Sequence, residues 1–133
     1  MLGKIVLWIS AIAFTAYGAA CLFSPALPAS YAGLAMLNGN GYAEVGAMYG
    51  GLQTGFGIFC LLAAMRQDLY RPGLLLLVLA IGALALARLI SAMATPEPVG
   101  AYTWGALTYE FFTAVLAAAA LRLDLAPRIQ TAD

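Results

Sequence analysis

The chain has 133 residues and a mass of 13.9 kDa, with 64% hydrophobic and 9% charged residues and a mean hydropathy of +0.92. Soluble domains average about 45–50% apolar and 25% charged residues, and a core this small cannot hide the excess, so the protein is expected to sit in a membrane. Six Lys and Arg balance six Asp and Glu, which leaves no basic excess to attract nucleic acid and no acidic tail to act as a solvated arm.

A helix needs about 20 mostly apolar residues to cross the ~30 Å hydrocarbon layer, and four such stretches can be read along the chain. The first covers about 5–23 and stops at Ser24, Pro25 and Pro28, because proline removes a helix donor and restricts the residue before it. Lys4, the apolar run and Ser30-Tyr31-Ala32 loosely fit a cleaved leader. The run is longer than a 7–15-residue signal core and two prolines intervene, so it is expected to remain as a span. Residues 24–41 form a long connection whose middle, 31–37, is apolar but too short to cross. A short helix lying at the interface is expected there, with Asn38-Gly39-Asn40-Gly41 making a positive-φ turn into the next span.

The second span covers about 42–64 and ends at Met65-Arg66-Gln67-Asp68. The third starts at Pro72, a good first-turn residue, runs to about 94, and breaks at Thr95-Pro96-Glu97-Pro98. The fourth covers about 101–121, followed by Arg122 and Pro127. Four spans use nearly all the apolar residues, so a fifth has nothing to be made of. The expected fold is an all-α, single-domain, four-span transmembrane helix bundle with a short interfacial segment in the first outer loop.

Basic residues beside span ends set orientation. Lys4 precedes the first span, Arg66 and Arg71 lie between the second and third, and Arg122 and Arg128 follow the fourth, whereas 24–41 and 95–100 contain no Lys or Arg. Both termini are therefore expected in the cytoplasm, which requires an even number of spans and agrees with the four read above.

The polar residues inside the spans carry the most information. An ionisable side chain near a helix centre costs about 2.5–3.5 kcal/mol on insertion scales, so each needs a partner or a wet cavity. Arg88 lies six residues below the outer end of the third span, roughly 9 Å, and Glu110 nine residues into the fourth, roughly 13 Å. Side chains lean toward the N-terminus of their own helix, so on antiparallel helices the two head groups converge. Arg88 shares a stripe with Ser91 and Thr95, and Glu110 with Thr103, Ala106, Thr113 and Ala117; both stripes are polar or small and should face protein. Glu44 stands in the first turn of the second span, on the same side, where a carboxylate complements the helix dipole. With Gln53 these residues make a candidate ligand-binding or ion-pair cluster: Glu44, Gln53, Arg88, Ser91 and Glu110. Two carboxylates against one guanidinium leave room for a cationic ligand or a protonated carboxylate.

The second span has two small faces almost opposite each other, one joining Glu44 to Gly51 and Gly55, the other joining Gly46 to Gly50, Gln53 and Gly57. Gly46, Gly50, Gly51 and Gly55 are expected to serve helix packing. Tyr17, Tyr42, Tyr49, Trp8, Trp104 and Tyr109 read as belt or core aromatics.

Histidine is absent, which removes His-ligated haem, facial-triad iron, zincin helices and every Ser-His or Cys-His couple. Cys21 and Cys60 are far from a C-x-x-C spacing and belong at opposite depths, roughly 20 Å apart, too far to bridge. No metal and no cofactor is expected.

Glu44-Val45-Gly46-Ala47-Met48-Tyr49-Gly50-Gly51-Leu52-Gln53-Thr54-Gly55, then Ala87-Arg88-Leu89-Ile90-Ser91 and Glu110, resemble an uncharacterised family of small four-helix bacterial membrane proteins, catalogued as a domain of unknown function and similar in size and layout to DoxX-like proteins. The likeness covers nearly the whole chain. It implies this fold and a bacterial inner membrane, and brings no activity. Three functions remain open on the residues. One is a non-catalytic protein binding a small hydrophobic, cationic or lipid-like ligand, or a membrane partner subunit, at an outer-leaflet cavity. Another is a small proton-coupled transporter acting as a homo-oligomer, specifically a dimer, although four-span exporters of that kind carry their carboxylate in the first span, which here has none. The third is a lipid or quinone enzyme with Glu110 as base, which would lack any accompanying nucleophile, metal set or cofactor motif.

Overall fold

The computed structural model describes residues 1–125, and all of its elements there are helical. Four helices are long and apolar enough to cross a membrane: α1 (Leu2–Phe23), α3 (Gly39–Met65), α4 (Gln67–Ala94) and α5 (Ala101–Leu125). A short helix, α2 (Ala26–Ala32), lies in the first connection. The protein is thus an all-α bundle embedded in a membrane. Pro127 and Arg128 lie outside the described residues.

Each boundary that differs from expectation has a local cause. The short helix falls at Ala26–Ala32 and not at 31–37. Pro25 caps it and Pro28 sits in its first turn, where absent donors cost little. Gly33 (φ 71°) ends it in the left-handed region, and the Leu34 N–H donates to the Ala29 carbonyl at 2.8 Å. The expected positive-φ turn at 38–41 does not form. Instead Asn38 is an N-cap, its side-chain oxygen accepting from the N–H groups of Asn40 and Gly41 at 3.0 and 3.4 Å, so α3 starts three residues before the expected 42.

α4 starts at Gln67, five residues ahead of Pro72, which lies inside the helix. Arg66 alone is extended between α3 and α4 (φ −109°, ψ 128°). Its guanidinium holds Asp68 through two bonds of 2.7 and 3.2 Å, and Asp68 complements the new N-terminus. Both α3 and α4 contain a π-helical stretch, Val45–Gly51 and Leu77–Ile81, a variation often found at functional sites.

The core lies toward the end that holds Met1, the Arg66 hinge and the end of α5. Leu7, Leu74, Leu77, Cys60, Ala63 and Ala117 are fully enclosed there. Glycine sets the closest approach. A Cβ on Gly50 would meet Leu22, one on Gly18 would run into Thr54 and the Gly50 carbonyl, and one on Gly57 would hit Thr15 and the Ala11 carbonyl, so α1 and α3 touch backbone to backbone. Of the four glycines expected to pack, Gly50 alone does so against another helix. Gly46, Gly51 and Gly55 have open space or only their own helix beside them.

Candidate functional site: an ion-pair cavity

At the other end of the bundle the four helices do not close. A cavity of about 830 Å³ is bounded by α1, α3, α4 and α5 and by residues of the two connections, Ala32, Leu34, Thr95 and Val99. Its walls are largely apolar, with Phe14, Leu84 and a series of alanines, and its polar groups come from all four long helices.

Arg88 and Glu110 meet as expected. The Arg88 Nε donates to Glu110 Oε2 at 2.8 Å and Nη2 to Oε1 at 2.6 Å, the two-bond fork that a guanidinium and a carboxylate share. The Glu110 side chain is 6% exposed and that of Arg88 26%. The carboxylate thus belongs to the packed wall, and the guanidinium is the part of the pair that faces the cavity. Gln53 and Ser91 line the same space, together with Thr95, Thr103 and Ala106 from the stripes read off the sequence.

Glu44 does not join them. It is exposed on α3, and no part of it lines the cavity. Because α3 begins at Gly39, Glu44 also stands beyond the first turn, where the helix dipole would have favoured a carboxylate. The charge balance changes accordingly. Arg88 and Glu110 are the only Lys, Arg, Asp or Glu among the described lining residues, and they cancel.

Tyr17, Tyr49 and Tyr109, assigned from sequence to belt or core, turn out to border the cavity, as does Tyr102, which the sequence reading did not single out. The Tyr17 and Tyr102 hydroxyls are 3.0 Å apart and tie α1 to the start of α5. Phe14 packs tilted on Phe56 and edge-on to Tyr109, with ring centroids 6.2 and 6.1 Å apart. Helical spacing held the signal: Phe14 and Tyr17, Tyr49 and Gln53, and Tyr102, Ala106 and Tyr109 each recur at i+3 or i+4. Tyr109 hydroxyl and Ser10 Oγ are buried without a hydrogen-bond partner among the described residues.

Cys21 and Cys60 are both buried free thiols. Among the described residues no group of three His, Cys, Asp or Glu side chains could hold a metal ion.

No curated protein and no solved structure matches the chain. The family model described as Domain of unknown function (DUF4345) matches residues 2–121, nearly the whole of the sequence, and the chain belongs to that family.

Proposed function

We propose that this is a non-catalytic inner-membrane protein of a bacterium, similar in layout to DoxX-like proteins, with both termini in the cytoplasm. It retains a small or lipid-like ligand in the outer-leaflet cavity around Arg88 and Glu110. One observation carries the reading: an apolar cavity of about 830 Å³ with a single buried charge pair in its wall. Ligand pockets typically span about 300–1,000 Å³ and are apolar with a few placed polar groups.

The fork supports retention over proton cycling or base catalysis. Both Glu110 oxygens accept from Arg88, so the carboxylate is already engaged within the bundle by a fixed two-bond partner. A partner subunit remains the second reading, favoured by the exposed face of α3 that carries Glu44, Gly51 and Gly55.

Native mass spectrometry from gentle detergent tests the proposal. The wild-type chain should carry a discrete adduct that Ala106→Trp, which puts an indole into the cavity beside Glu110, removes. Absence of any adduct from both chains would refute it, and a second polypeptide in the complex would establish the partner reading.

A further inference from the structure

The helix seams of the bundle are not equally closed. α1 lies along α3 through Gly18, Gly50 and Gly57, and α5 packs on α1 and along α4. α4 leans on α3 through its first part, Gln67–Leu76, beside the Arg66 hinge; beyond its π-helical stretch, Gly82–Ala94 packs on α5 and leaves α3. What remains is a slot with Tyr49 and Gln53 on one side and Leu84, Ala87 and Ser91 on the other. Those three α4 residues line the cavity and are also exposed. A wall that is both lining and exposed is an opening, and on a membrane-spanning helix it opens sideways into lipid.

The polar groups beside the slot are unbalanced in kind. A guanidinium has five N–H donors and no acceptor. Arg88 gives two of them to Glu110, and the others have no acceptor among the described residues. Tyr17 and Tyr102 share one hydrogen bond between two hydroxyls, so one O–H is left to donate. Tyr49 and Gln53 add a hydroxyl and an amide. The guanidinium therefore adds donors that no acceptor among the described residues answers, the hydroxyls and the amide can donate or accept, and the net charge is zero. An anion or a cation in this cavity would be an uncompensated charge among apolar walls, whereas an uncharged carbonyl would find several N–H and O–H groups to accept from.

We infer that the cavity takes an uncharged amphiphile whose head carries carbonyl or ester oxygens, and that this molecule comes from the bilayer through the slot between α3 and Gly82–Ala94 of α4. The inference rests on the cavity being a binding site, as proposed above. The head sits beside Arg88, and a chain too long for the cavity trails back through the slot into lipid.

Three probes with the same alkyl chain separate the possibilities: monodecanoylglycerol, decanoate and decyltrimethylammonium, offered in equal amounts to the detergent-solubilised protein and read by native mass spectrometry. The glyceride should be retained at least about tenfold more than either ion, with retention lost in Ala106→Trp. Preference for an ion overturns the inference and leaves the binding reading standing. Retention of no probe, with no copurified adduct on the wild-type chain, removes both. For the route, the protein is reconstituted in vesicles containing a long-chain diacylglycerol, which cannot reach the cavity through water. The wild type should load, and Ser91→Trp should load at least about tenfold more slowly than Met93→Trp, which alters an α4 residue outside the cavity lining. Failure of the wild type to load, or equal rates for the two variants, overturns sideways access.

Discussion

Arg88 and Glu110 face each other across the seam between α4 and α5 in a two-bond fork, with the carboxylate almost wholly enclosed and the guanidinium partly open to the cavity. The asymmetry follows from helix direction. Side chains lean toward their own N-termini, so on antiparallel helices the long arginine reaches back from α4 while the shorter glutamate stays in the wall of α5. Lysine could not replace the arginine, because a single ammonium cannot meet both carboxylate oxygens in one plane.

Replacing one partner strands the other in low dielectric, a loss of commonly about 3–5 kcal/mol, while removing both is often much milder. Arg88→Leu and Glu110→Leu should each lower the thermal unfolding temperature in detergent strongly, and the double variant should recover most of the loss. Small, strictly additive effects would mean that the fork contributes nothing to stability.

Sequence reasoning reached this pair because two independent constraints, depth and helical face, converged on it. Glu44 shows what happens when they diverge. Its depth put it near the cluster, yet it shares a stripe with Gly51 and Gly55, almost opposite the stripe of Gln53. The structure follows the face: Gln53 lines the cavity and Glu44 is outside. The tyrosines were hidden for a different reason. A membrane aromatic has the same composition signal in a lipid-facing belt and in a cavity wall, and only the helical face it shares with other lining residues distinguishes the two. The helix starts at Gly39 and Gln67 depended on an Asn38 cap and an Arg66–Asp68 clasp, short-range polar contacts that hydropathy does not register.

The glycines of α3 should separate cleanly on mutation. A Cβ at Gly57 would stand 2.6 Å from the Thr15 backbone nitrogen and 3.0 Å from the Ala11 carbonyl, so Gly57→Ala forces α1 and α3 apart, at a cost of about 1–3 kcal/mol. Gly55 has open space around it, and Gly55→Ala should be neutral or gain up to about 1 kcal/mol of helix propensity. Thermal unfolding of the two variants in detergent checks the contrast. Equal losses would indicate that the Gly55 face is also covered, by a second copy or a partner.

Cys21 and Cys60 are enclosed as free thiols. Neither should react with a maleimide in the folded protein, and both should react after denaturation in dodecyl sulfate. A mobility shift of the wild type on reduction would reveal a bridge and contradict their placement.

Orientation is carried by charge alone. Lys4, Arg66, Arg71 and Arg122 lie at the end of the bundle that holds the amino terminus and the α3–α4 hinge, whereas 24–41 and 95–100, at the cavity end, contain no basic residue. Short loops rich in Lys and Arg stay in the cytoplasm, and in the orientation proposed on that ground the cavity faces the outer leaflet. Alkaline phosphatase fused after Asn40 or Glu97 should therefore be active, because that enzyme matures only outside the cytoplasm, where its disulfides form. Fused after Asp68, at the α3–α4 hinge, it should be inactive. Activity at Asp68 and none at Asn40 would invert the bundle. The cavity would then open toward the inner leaflet, and its occupant would have to be sought among the lipids of that leaflet.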